Sequence, residues 1–178
     1  MQWLTDAGLG LDDQTVRLER TTQAAVDAGA RLRDDVADLL AGVVAGVEQV
    51  GSSSVVDLLA KPIVDLAVGL TAAQPLAPVC ERLKSAGWVY RGDAGAQGGH
   101  VFVLRVRPGH RVAHIHGVDH DGDQWRNYLR LRDLLRRSSD ARARYAAVKQ
   151  RLAAQVGDDR VAYTDGKSDV VAALLASA

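Results

Sequence analysis

Gly51 opens a run of three hydroxyls, Ser52, Ser53 and Ser54, and the apolar stretch that follows carries one carboxylate, Asp65. A glycine lets backbone approach a ligand closely, while hydroxyls and amides at a turn before a helix offer donors suited to phosphate oxygens. A carboxylate nearby is what a divalent cation shared with those phosphates would require. The same residues also suit an ordinary capped turn between two buried strands, so spacing alone leaves both readings open.

His114 and His116 form a second group, separated by Ile115 in the run 112–118. On a strand, residues i and i+2 face the same way, so both imidazoles share one side and Ile115 takes the other. Completed by a carboxylate from a neighbouring strand, for which Asp65 is the obvious choice, they would hold a divalent cation. The plainer reading is two strand histidines that hydrogen-bond locally. His110 and His120 flank the strand as loop residues, and His100 lies in a Gly-rich turn that belongs to the site or to none.

A third group is basic. From Trp125 to Arg151 there are eight Arg and one Lys against Asp133 and Asp140, a local excess of seven positive charges. Arg126 with Arg130, and Arg132 with Arg136, are i, i+4 pairs that form cationic rows on a helix. Guanidinium groups grip phosphate or carboxylate in bidentate fashion, yet most such rows are solvated faces, and Arg132 beside Asp133 also suits a structural ion pair. Tyr145 with Lys149 and Tyr163 with Lys167 repeat one Tyr-x-x-x-Lys spacing, with one pair expected in a pocket and the other on the surface.

These side chains need elements to hold them. Residues 1–15 read as a loosely attached lead-in. Apolar positions between Thr22 and Ala41 recur at helical spacing, interrupted only by Gly29, and predict an amphipathic helix on a sheet. Residues 43–50 read as a strand, 55–60 as a short helix after the serine turn, and 63–70 as a strand buried on both faces. Thr71 or Gln74 would cap the next helix, with Pro75 in its first turn and Gly87 ending it. Residues 88–90, 101–106 and 112–118 are three further strand candidates. Helices follow over 123–137, 139–156 and about 159–175, with Ser138 or Ser139 and Asp158 as N-caps. A mixed sheet followed by helices is an α/β or α+β arrangement.

Composition agrees with that class. The 178 residues are 47% hydrophobic and 25% charged, which fits one domain with a substantial core and a helical C-terminal part over 122–178. Lys plus Arg equal Asp plus Glu at 22 each, so neither a nucleic-acid coat nor a membrane-surface protein is indicated. Cys80 is the one cysteine, which excludes an internal disulfide and a polythiolate zinc site and points to a reducing cytoplasm. No segment reads as a secretion signal or a bilayer span.

Taken in order, the motifs resemble those of GrpB-like proteins, a branch of the nucleotidyltransferase superfamily. The resemblance is carried by Glu48 to Val55, Ala60 to Asp65, Gly87 to Gly92 with Ala94 and Gly95, and His114-Ile115-His116. It continues through Trp125, Leu129, Arg132, Asp133, Leu135, Arg136, Tyr145, Lys149, Asp158 to Arg160, Tyr163 and Lys167, and spans the chain from about Val16 onward. The resemblance implies a nucleotidyltransferase-like short mixed sheet whose Gly-Ser turn cradles nucleotide phosphates and whose acidic residue binds a metal. In that superfamily Mg²⁺ is usually held by two carboxylates two residues apart on a strand. Here position 67 is alanine, so His114 and His116 are expected to complete the site, and Mn²⁺ or Zn²⁺ deserves equal consideration with Mg²⁺.

The chain also departs from the family pattern at Gln49, Ser53 and Val56-Asp57, and basic residues expected after the Gly-rich turn are replaced by His100 to Leu104. The leading expectation is a metal-dependent transferase that uses a nucleoside triphosphate and a small-molecule acceptor. In it Gly51, Ser52 and Ser53 hold phosphates, Asp65, His114 and His116 hold the metal, and Lys61, Arg132, Lys149 and Lys167, with Tyr163, complete the site. Two alternatives stand beside it: a metal-dependent condensation, cyclisation or hydrolysis at a His₂Asp centre, and a nucleotide-binding module without chemistry.

Overall fold

A strand that is apolar at nearly every position must be covered on both faces, and the structure, a computed structural model describing residues 1–71, 75–95 and 99–177, covers it. The first half of the chain forms α1 (Gln2–Asp6), β1 (Leu11–Asp12), β2 (Glu19–Arg20), α2 (Gln23–Leu39), β3 (Gly46–Val50), a 3₁₀ turn (Ser52–Ser54), β4 (Leu59–Ala60) and β5 (Val64–Leu70). The rest forms α3 (Leu76–Ser85), β6 (Trp88–Asp93), β7 (His100–Arg107), β8 (His110–Asp119), α4 (Asp123–Arg137), α5 (Ser139–Val156), α6 (Arg160–Asp165) and α7 (Ser168–Ala176).

The main sheet runs β3-β5-β8-β7-β6, with β1 pairing to the start of β8. Only β5 and β8 are parallel; β3, β7 and β6 run antiparallel to their neighbours. That parallel pair sets Asp65 opposite His114 and Ala67 opposite His116. The register alone therefore brings the three expected metal ligands side by side.

The two sheet faces differ in kind. On one, Val64, Leu66, Val68, Ile115 and Phe102 pack against Leu4, Leu32, Val36, Leu40 and Leu83 from α1, α2 and α3 in a continuous apolar core. Each such side chain, fully buried, stabilises the fold by about 1.5–3 kcal/mol relative to exposure. On the other, Val50, Ala67 and Val118 meet Trp125 of α4 in a smaller cluster, and Asp65, His114 and His116 share the face with Val101 and Val103. Helices α4, α5 and α7 are joined by Leu134, Leu135, Ala141, Tyr145 and Leu174, which also enclose Val55 and Leu58 behind the serine turn.

Several elements differ from expectation. The lead-in is packed rather than loose: Leu4, Leu9 and Leu11 are buried, and β1 adds to the sheet. Its helix is too short for a periodicity to register. No helix follows the serine turn; Ser54 Oγ donates to the Gly51 carbonyl at 2.7 Å, Asp57 turns the chain at φ 64°, and β4 pairs with β2. The segment 43–45 stays outside β3, which begins at Gly46. Pro75, not Thr71, stands at the N-cap of α3, and Gln74 lies outside the described residues. Gly87, at φ 88°, follows that helix as expected. The last predicted helix breaks at Gly166 and Lys167 into α6 and α7, and its cap is Asp159, which accepts from Val161 and Ala162 N–H groups. Asp158 instead accepts from the Val16 N–H. No described helix is long and apolar enough to cross a membrane.

Candidate functional site

A cleft of about 1290 Å³ lies between the sheet face that carries Asp65 and helices α4 to α7. Gly51, Ser52, Ser53, Lys61, Asp65, His114, His116, Lys149, Tyr163 and Lys167 all line it. Asp65 reaches the cleft because alternate residues of β5 face opposite ways: Val64 and Leu66 go to the apolar core.

Asp65 Oδ1 lies 3.3 Å from His114 Nδ1 and 3.8 Å from His116 Nε2. One donor atom from each of the three residues falls within 4.8 Å of the others. Two ligands about 2.1 Å from a tetrahedral ion are ~3.4 Å apart, so the spacing suits a cation between them. The protonation states suit it too. Burial alone would push Asp65 up, but the two imidazoles outweigh it and hold the carboxyl far below its usual range. Burial pushes His114 down despite Asp65, favouring the neutral, ligating imidazole. One carboxylate and two imidazoles form a mixed oxygen and nitrogen set that a transition ion fits at least as well as Mg²⁺.

Gly51 closes one wall. Its φ is 73°, and a Cβ there would come within 2.6 Å of Asp65 Oδ2. Any other residue would be strained and would displace the carboxylate. Beside it, the buried Ser53 Oγ has no hydrogen-bond partner among the described residues.

Ala67 is 0% exposed and packs with Val50, Val118 and Trp125. A carboxylate at this position would lie in an apolar pocket, where an unpaired charge is costly. His116, opposite Ala67 on β8, reaches the Asp65 carboxylate instead.

A family model described as "GrpB protein" matches residues 15–177. The chain belongs to the GrpB family. It is 34% identical over 174 residues to a UPF0157 protein of Streptomyces coelicolor, covering 93% of this chain and 82% of that protein. A UPF0157 protein of Deinococcus radiodurans is 40% identical over 135 residues, covering 74% of this chain and 66% of its own length. The crystal structure of the conserved protein GrpB from Enterococcus faecalis superposes with a TM-score of 0.75 at 24% identity, covering 90% of this chain and 96% of that one. The mixed sheet with its helical C-terminal part is thus the fold of that GrpB structure.

Within this GrpB fold, both Tyr-x-x-x-Lys pairs face the cleft, which corrects the expectation that one would be surface. Tyr145 and Lys149 come from α5; Tyr163 lies on α6 and Lys167 caps α7. Lys149 is 2% exposed, donates to the Leu59 carbonyl and lies 4.6 Å from the centre of the Tyr145 ring. Tyr163 is 1% exposed and receives two cations on its ring, Lys61 at 5.0 Å and Lys167 at 4.9 Å. These cation–π contacts soften the burial of three ammonium groups in one place. Burial, reinforced by the other lysines, lowers Lys149 to about 7; burial and Lys167 lower Lys61 to about 8. Burial also lowers Lys167 and raises Tyr145 to about 12.

Arg132 is not brought to the cleft. Its guanidinium binds Glu48 Oε2 and Asp133 Oδ1, each at 2.8 Å, and the Gln49 carbonyl at 3.2 Å, so it fastens α4 to β3. Arg136 and Arg142 likewise donate to backbone carbonyls, of Ser54 and of Leu135 and Arg136. His100 bonds to the Tyr90 hydroxyl at 2.9 Å, and His110 to Asp12 at 2.6 Å, both apart from the metal ligands.

The sequence reading missed Asp13, Arg91, Arg105 and Arg111, which line the cleft together with Arg160. Arg105 was findable, since it shares the parity of Val101 and Val103 on β7. Arg111 was not. Strict alternation from His114 and His116 puts Arg111 on the core face, but a register shift pairs it with Arg105 and turns it into the cleft. β7, which lacks the basic residues expected over 100–104, thus supplies Arg105 farther along, and β8 adds Arg111.

Proposed function

We propose that the chain is a metal-dependent transferase that uses a nucleoside triphosphate and passes a nucleotidyl or phosphoryl group to a small-molecule acceptor. The observation that carries this reading is convergence: the Gly51 turn, the Asp65, His114 and His116 cluster, the buried Lys149 and the half-buried Lys61 and Lys167 meet in one cleft. Asp65, His114 and His116 would hold Mg²⁺, Mn²⁺ or Zn²⁺, and such an ion, when bound, supplies charge neutralisation at phosphate oxygens.

The chain's own residues supply the rest. Gly51 lets the Asp65 carboxylate lie against the turn, and Ser52 and Ser53 line the cleft beside it. Lys61, Lys149 and Lys167 place positive charge where phosphate charge shifts during transfer, in a site that their burial shields from water. The aromatic rings of Tyr145 and Tyr163 hold those side chains in place. An arriving phosphate favours the ammonium form of Lys149, which burial lowers to about 7, so binding near neutral pH should take up protons. Arg132 is a positioning residue that ties the turn's preceding strand to α4. Such a site works by orientation and electrostatics more than by covalent chemistry.

Isothermal titration with ATP, CTP, GTP and UTP in the presence of Mg²⁺ or Mn²⁺ tests this reading. One nucleotide should bind per chain only with metal present. Absence of binding for all four to folded, metal-loaded protein overturns it.

The burial of Ala67 favours a second reading, in which the same centre carries a condensation, cyclisation or hydrolysis without a nucleotide. Tightly held stoichiometric Zn²⁺, Mn²⁺ or Fe²⁺ in purified protein, lost in His114→Ala, together with no nucleotide binding, would select it.

A further inference from the structure

We infer that the arginine-lined end of the cleft is a second binding site, and that it takes the carboxylate of a small-molecule acceptor. Arg91, Arg105, Arg111 and Arg160 line this end, from β6, β7, β8 and the start of α6, and Asp13 is the carboxylate among them. Four guanidinium groups against one carboxylate leave a large positive excess.

Asp13 already shows what the cluster recognises. Its Oδ2 lies 3.2 Å from Arg105 Nη2 and its Oδ1 lies 2.9 Å from Arg111 Nη2, so one carboxylate bridges two arginines. The demand for anions is not met by it. Arg111 is 3% exposed, and its buried Nε has no hydrogen-bond partner among the described residues; the buried Nε of Arg160 has none either. The half-buried Arg160 has no ion pair among the described residues, and neither has Arg91, which is exposed. Buried guanidinium donors left unmatched are costly, so a second planar anion fits where the first leaves off. Mutual repulsion gives the same indication: burial, with Arg160, Arg105 and Arg91 nearby, lowers Arg111 to about 10.

The cleft has room for two occupants. Its volume of about 1290 Å³ exceeds the ~300–1,000 Å³ that a single small ligand usually fills. Lys61, which also lines the cleft, is within electrostatic reach both of Lys167 and Asp65 and of Arg160 and Arg111. A carboxylate held by the arginines would extend the rest of its molecule toward Lys61 and the metal ligands. The arginine fork matches the planar carboxylate, while the lysine and metal end suits phosphate. The role as acceptor rests on the transferase reading; the binding of a carboxylate does not.

Equilibrium titrations with succinate, glutamate and inorganic phosphate, each up to tens of millimolar and without nucleotide, test the site. Succinate or glutamate should bind one per chain more tightly than phosphate. Arg160→Gln and Arg111→Lys should each weaken that binding at least tenfold, leaving Mn²⁺ affinity unchanged. Arg160→Gln serves if the buried Arg111 variant fails to fold. Asp65→Asn should abolish Mn²⁺ binding and spare the carboxylate, so this site and the nucleotide reading fail separately. The inference is overturned if neither carboxylate binds, if phosphate binds better than both, or if Arg160→Gln changes nothing.

Discussion

The two faces of the central sheet are built from the same strands and do opposite things. On β5, Leu66 enters an apolar core closed by α1, α2 and α3, while its neighbour Asp65 enters a cleft containing two histidines and three lysines. The first face gains stability from burial; the second places charges where water is scarce, at a cost the first must offset. Strand alternation lets one segment serve both purposes without compromise between them.

Breaking the apolar face should give the largest stability effect. Leu66→Ala, at a fully buried position, is expected to lower unfolding free energy by about 2–5 kcal/mol in denaturant titrations, with metal stoichiometry of the folded fraction unchanged. Asp65→Asn should do the reverse: metal affinity falls by about 100-fold or more while the melting temperature holds or rises. If Asp65→Asn unfolds the chain, the division between faces is wrong.

Gly51→Ala sharpens the comparison, because it strains the backbone and presses on the Asp65 carboxylate. A loss of about 1–3 kcal/mol in stability is expected, accompanied by weaker metal binding. An alanine variant with unchanged metal affinity would show that the turn does not define the site.

Lys149 provides a pH test. Its folded value near 7 lies below the ordinary 10.5, so between these values the unfolded chain binds more protons and stability rises with pH. One such lysine contributes a slope of at most ~1.4 kcal/mol per pH unit. Thermal unfolding from pH 7 to 9.5 should show the rise in the wild type and a flatter profile in Lys149→Met. Ligand affinity should move the other way, since phosphate binding needs the ammonium form. The smallest effect is expected at Asp159→Ala, which removes the cap of α6 for about 1 kcal/mol and shifts Tyr163 and Arg160 with it.

Much of this was legible in the sequence where local rules decide. The parity of His114 and His116, the apolar run of β5 and the caps at Ser138 and Gly87 follow from periodicity and turn chemistry, and the structure has them. What escaped depends on tertiary context. The bulge that turns Arg111 inward leaves no local mark, and neither does the pairing of β1 with β8 that delivers Asp13. Helical spacing put each Tyr and Lys on one face but could not say which faces meet the sheet. Arg132 was misplaced for the same reason: a guanidinium suited to phosphate is equally suited to Glu48, and only packing chooses.

The central claim is that the charged face holds a cation and phosphates together at Asp65. Its most direct test is the affinity of nucleoside triphosphates for wild-type protein and for folded Asp65→Asn, each measured with and without Mn²⁺. The expected result is binding of one nucleotide per chain that requires Mn²⁺ in the wild type and is absent from the variant. Binding that is indifferent to metal and to Asp65, or no binding of any nucleotide to the wild type, would contradict it.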